Sequence, residues 1–113
     1  MKRNNAVIEK AKPYIKALCT GLKQYSEQPK ELRDITDVLT QVYKKIDSTK
    51  NPEALVNRLV NYIYVAGFGA IHLKPEDEKL LIELGAIGSK AGWNGRYMSD
   101  FANKSQFYSI FDK

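Results

Sequence analysis

The chain has one cysteine, Cys19, and one histidine, His72. A lone cysteine excludes an internal disulfide. One residue of each kind is too few for the usual four-ligand zinc site. It is also too few for a Ser–His–Asp or Cys–His catalytic arrangement. Cys19 falls on the apolar face of a helical pattern and reads as a small buried hydrophobe. Arginine is scarce as well: Arg3, Arg33, Arg58 and Arg96 are scattered along the chain. That argues against a recognition helix that reads bases with Arg, Asn or Gln, and no nucleic-acid partner is expected. The longest weakly polar run, "YIYVAGFGAI" at 62–71, has ten residues, about half of what a membrane-spanning helix needs. The opening "MKRNNAVIEKAK" is polar and helical in pattern, so no signal peptide is expected. "GFGAIH" at 67–72 lacks the third glycine of a dinucleotide loop and follows no strand. These absences predict a non-enzymatic protein without cofactor or metal.

What remains is a chain of 113 residues with ordinary apolar content, 43%, and 27% charged residues. That suits one globular domain and not a disordered chain. The net charge of +5 is uneven. Residues 1–50 hold eleven Lys or Arg against six acids, residues 51–92 four against five, and the last 21 residues three against two. The charges sit at helical spacing between apolar positions, the pattern of a solvated face before that of a binding patch.

Four helical segments follow from the periodicity. Val7, Ile8, Ala11, Ile15, Leu18, Cys19, Leu22 and Tyr25 make the first stripe, with a bend or a fresh start expected at Pro13. Pro29 marks the start of the second, striped by Leu32, Ile35, Val38, Leu39, Val42, Tyr43 and Ile46. Asn51, Pro52 and Glu53 form the strongest start signal in the chain. It opens a third helix that buries Leu55, Val56, Leu59, Val60 and Ile63 and ends near Gly67 or Gly69. Pro75 opens the fourth, whose apolar face is Leu80, Leu81, Leu84 and Ile87 and whose stop is Gly92. Glu76, Asp77 and Glu78 there read as carboxylates at the positive end of the helix dipole, not as a metal site. Gly85 and Gly88 are expected to permit close packing. No strand-like alternation of useful length occurs. The expected fold is all-α: an antiparallel four-helix bundle over residues 5–92 and an aromatic tail over 93–113, packed partly on the third and fourth helices, in a single domain.

The tail carries half of the aromatic side chains, six of twelve: Trp93, Tyr97, Phe101, Phe107, Tyr108 and Phe111. So much apolar area is costly to leave in water. One reading makes the tail a strap on the hairpin of the last two helices. The other makes part of it a partner surface, since aromatic side chains and Arg are enriched at interface cores. The two are compatible if Trp93 and Phe101 pack inward while Phe107, Tyr108 and Phe111 reach outward.

Two stretches, "DVLTQVYKKIDSTKNPEALVNRLVNYI" at 37–63 and "ELGAIGSKAGWNGRYMSDFANKSQFYSIF" at 83–111, resemble the immunity proteins of pediocin-like (class IIa) bacteriocins, in particular the leucocin A and mesentericin group. The resemblance implies a cytoplasmic protein, a monomer peripheral to the membrane at most. It implies protection of a bacteriocin-producing lactic acid bacterium from its own pore-forming peptide. The partner it implies is the mannose phosphotransferase permease, its IIC and IID subunits, once bacteriocin has engaged them. The partner-binding residues expected on this basis are Arg96, Tyr97, Lys104, Phe107, Tyr108 and Phe111, with Arg96 and Lys104 available for carboxylates or lipid headgroups. The competing reading is a helical, antitoxin-like protein that neutralises a soluble partner directly.

Overall fold

The computed structural model describes residues 2–67, 69–89 and 104–108. Its helices are α1 (Lys2–Lys23), α2 (Lys30–Lys45), α3 (Pro52–Gly67) and α4 (Pro75–Gly88), followed by a 3₁₀ turn at Lys104–Phe107, here the tail turn. No strand occurs among the described residues. Each helix packs on the next and α4 closes back on α1, with a lesser diagonal contact between α1 and α3. This is the expected all-α bundle.

The apolar stripes make the core. Ile15, Leu18 and Leu22 of α1, Leu32, Ile35 and Leu39 of α2, Leu55 and Leu59 of α3, and Leu81 and Leu84 of α4 are fully buried. Each such side chain contributes roughly 1.5–3 kcal/mol relative to exposure. Most helical stability in proteins comes from packing of an amphipathic face and not from propensity, so this shared core holds the four helices.

Local signals set most of the boundaries. Asn51 caps α3: its Oδ1 accepts the Ala54 N–H at 3.1 Å and its carbonyl accepts the Leu55 N–H at 3.1 Å. Pro52 and Pro75 are the first residues of their helices, where a missing N–H costs nothing. Past the end of α3, Gly69 adopts φ 74°, which a side chain would disfavour. At the other end of the α3–α4 hairpin, a Cβ on Gly88 would lie 2.8 Å from the Asn57 backbone. Only glycine allows the two helices to approach so closely there. A Cβ on Gly85 would meet Val60 at an ordinary 3.8 Å, so that glycine is not required by contact.

Three expectations change. The sequence allows a fresh start at Pro13, but a single helix runs from Lys2 to Lys23 with Pro13 inside it. Glu9 and Pro13 both lie on the exposed face, where solvent can satisfy the carbonyl that lost its donor. Tyr25 belongs to the loop beyond α1, not to its stripe. The acidic run at the start of α4 is not simply dipole compensation: Glu76 and Glu78 are exposed, but Asp77 is only 4% exposed. The Tyr25 hydroxyl donates to Asp77 Oδ2 at 2.6 Å and accepts the Lys74 backbone N–H at 2.8 Å. A Cβ on Gly21 of α1 would lie 2.5 Å from Asp77 Oδ1. One buried carboxylate thus ties the α1–α2 loop to the start of α4. The expected stop of α4 at Gly92 lies outside the described residues; the helix ends at Gly88, with Ser89 as its C-cap.

Burial, and then the bond to Asp77, push the Tyr25 hydroxyl up to about 12. A raised value means a contribution that is complete below the ordinary tyrosine value, about 10, and is lost as pH rises from there to about 12. Tyr25→Phe leaves Asp77 without this donor and should lower the unfolding free energy at pH 7 by about 1–3 kcal/mol. Urea titrations at pH 7 and between pH 9 and 12 check this. Equal stability of the two proteins at pH 7 would contradict it.

Candidate functional site

The tail turn is held by one apolar contact to α3 and three polar contacts to α2. Phe107 is 0% exposed, although its residue number places it six from the chain's last. Its ring meets Tyr62 of α3 edge to face, with centroids 5.4 Å apart and planes at 76°, a favourable arrangement of ring quadrupoles. Tyr62 is itself 2% exposed. Burial, and then the nearby Asp34 charge, push its hydroxyl above the ordinary tyrosine value.

Lysines bracket the plug. Lys104 Nζ lies 3.0 Å from Asp34 Oδ1 and 3.2 Å from Asp37 Oδ2. Lys45 Nζ donates to the Phe107 carbonyl at 3.1 Å. Asp34 and Asp37 are three residues apart and therefore neighbours on the α2 surface. Asp34 and Lys45 are eleven residues apart, about three full turns or roughly 16 Å along the same line. One polar stripe of α2, beside its buried stripe, thus receives both ends of the turn.

The Asp34 carboxyl is held below its ordinary value, first by the hydrogen bond from Lys30, at 2.9 Å, and then by that from Lys104. The Lys104 ammonium is held above its usual range, first by Asp34 and also by Asp37. A lowered carboxyl contributes above its ordinary value near 4, and the contribution fades as pH falls through the lowered value. Ion pairs this exposed are worth about 0–1 kcal/mol each. Full burial of a phenylalanine is worth roughly 1.5–3 kcal/mol. The ring therefore supplies most of the attachment, and the ion pairs chiefly fix its direction.

The expected partner-binding residues separate accordingly. Phe107 does not reach outward: it is the plug, because Tyr62 and the edge of α2 offer it a dry seat. Lys104 is not left free for an outside carboxylate, since the chain's own Asp34 and Asp37 take it. Tyr108 is 45% exposed and does face solvent. Arg96, Tyr97 and Phe111, like Trp93 and Phe101, lie outside the described residues. The tail was expected on the third and fourth helices; the described turn packs on α2 and meets α3 at Tyr62. Sequence reading missed Asp34, Asp37, Lys45 and Tyr62 as parts of this site. The one available signal was the spacing of Asp34 and Asp37 beside the apolar stripe. Further exposed apolar side chains are Tyr64 and Val65 on α3 and Ile82 on α4.

Among the described residues, no group of three His, Cys, Asp or Glu is arranged to hold a metal. His72 is exposed. Cys19 is partly buried, its Sγ 3.7 Å from the Thr36 carbonyl and 3.6 Å from Thr40 Oγ1, as expected of a packing residue. No described helix is long and apolar enough to cross a membrane.

Fold and site together define a small helical bundle with an anchored aromatic C-terminal turn. The chain belongs to the bacteriocin immunity protein family, whose model matches residues 6–89. It is 51% identical over 114 aligned positions, the whole of both chains, to the "Probable leucocin-A immunity protein" of Leuconostoc gelidum. It is 48% identical, again over the whole of both chains, to the "Probable mesentericin-Y105 immunity protein" of Leuconostoc mesenteroides. No solved structure matches. The family pattern covers the four helices and stops at Ser89, whereas both relatives align through the tail as well.

Phe107→Ala should lower the unfolding free energy by about 3 kcal/mol. Tyr108→Ala should stay within about 0.5 kcal/mol of the parent. Chemical denaturation of both variants checks the assignment of one ring inward and the other outward; equal shifts would contradict it.

Proposed function

We propose that this protein protects a bacteriocin-producing cell by binding the mannose phosphotransferase permease from the cytoplasmic side, once the bacteriocin has engaged it, and closing the pore. The observation that carries the reading is full-length similarity, tail included, to two immunity proteins named for leucocin-A and mesentericin-Y105. The protein acts as a non-enzymatic binding partner and works as a monomer. The absence of a membrane-length apolar helix among the described residues is compatible with a protein that meets the membrane from one side.

A physical mechanism follows from state selection. A ligand shifts a conformational equilibrium only by the difference in its affinity for the two states. A protein that recognises a surface present only in the bacteriocin-loaded permease leaves the empty permease free for transport. The bundle supplies the rigid frame, and Tyr108, presented by an anchored turn, supplies an aromatic contact of the kind that dominates interface energetics.

The protein should be retained on detergent-solubilised mannose permease far better with bacteriocin than without. Calorimetry should detect no binding of free bacteriocin. Equal retention with and without the peptide would remove the state-selective mechanism. Tight binding to the free peptide would favour direct neutralisation instead.

A further inference from the structure

We propose that Lys104, Asp34 and Asp37, with Phe107 seated beside them, are positioning residues that aim Tyr108 at the partner. This deepens the function proposed above and rests on it. None of the four need touch the partner; they act through the residue that follows the plug.

The argument starts from chain geometry. Successive Cα atoms are about 3.8 Å apart, so a fully buried Phe107 fixes the backbone of Tyr108 to within that distance of its seat. Among the described residues of the tail, Tyr108 is the large aromatic that stays exposed, at 45%. If the turn were released from α2, the seat of Phe107 would no longer fix the place of Tyr108. A side chain whose place is not fixed must be ordered on binding, and that cost comes directly out of affinity. Anchoring the turn beforehand removes it.

The polar contacts suit a positioning role better than a stabilising one. A lone apolar plug fixes a point but not a direction. Here Lys104 ties the start of the turn to two carboxylates, at 3.0 and 3.2 Å, and Lys45 ties its end through the Phe107 carbonyl at 3.1 Å. Attachment at both ends, about three helical turns of α2 apart, sets the orientation in which the chain leaves Phe107. The ion pairs are partly solvated, with Lys104 33% and Asp37 61% exposed. Breaking them should therefore leave Phe107 seated but its direction unfixed, without unfolding the bundle.

The test measures retention on bacteriocin-loaded permease, and survival of cells exposed to bacteriocin, for full-length variants. Lys104→Glu brings three carboxylates together, and should weaken retention and protection about tenfold while the thermal melt of the bundle changes little. Lys104→Arg should behave as the parent. The double variant Lys104→Glu with Asp34→Lys restores an opposite-charge pair and should recover most of the loss. The decisive arm repeats Lys104→Glu in a Tyr108→Ala background. If Lys104 acts through Tyr108, the two losses do not add, and the second substitution changes little. Full addition would overturn the positioning role, as would unchanged retention of Lys104→Glu beside a well-retained parent. Should Lys104→Glu disturb the bundle, the milder Lys104→Gln carries the same comparison. A parent that is itself not retained would count against the permease reading; survival then decides positioning by the same rule of non-addition.

Discussion

The burial of Phe107 against Tyr62 is the constraint on which the arrangement of the C-terminal turn depends. A ring at 0% exposure, six positions before the chain's last residue, must have a dry seat. That seat exists only where α2 and α3 lie side by side. The polar stripe of α2 then determines how the turn runs across it: Asp34 and Asp37 take Lys104, and Lys45 takes the Phe107 carbonyl. The order of magnitudes matters. The ring supplies most of the attachment energy, and the solvated ion pairs supply direction.

The frame beneath this seat is held by close contacts between helices. Gly88 lets α4 approach the Asn57 backbone of α3 closely. Asn51 closes the start of α3 with its own side chain. Tyr25 and Asp77 lock the α1–α2 loop to the start of α4. Tyr62 stands on the flank of α3 away from that crossing, where α2 and the tail turn meet it. The bundle's stability and the site's geometry are thus joined through α3, which touches all three other helices.

Much of this was legible in the sequence, for physical reasons. Helix periodicity reflects burial directly, so the apolar stripes announced the core and the all-α class. Asn51–Pro52 and Pro75 act on the residues next to them, so the starts of α3 and α4 could be read. The buried Asp77 could not, because a carboxylate in a helix's first turn looks the same whether it meets the dipole or a tyrosine 52 residues away. The inward turn of Phe107 was hidden for the same reason: its partner, Tyr62, is 45 positions distant (107 − 62), and no local rule pairs them. Lys104 misled similarly, since a lysine in a tail reads as free until the helix that faces it is known.

Under the function proposed above, a small protein has to present a defined surface to a receptor in one state. A rigid bundle with a tail fastened at a fixed point meets that demand better than a tail that must be ordered on binding. Presentation of Tyr108 in a fixed place requires that the tail turn be docked in the free protein in solution. Nuclear Overhauser contacts between the ring protons of Phe107 and Tyr62, measured on the isolated full chain at neutral pH, test this most directly. The predicted result is strong cross-peaks between the two rings, with Phe107 ring resonances displaced by the edge-to-face neighbour. Sharp Phe107 resonances at random-coil positions, with no contact to Tyr62, would contradict it.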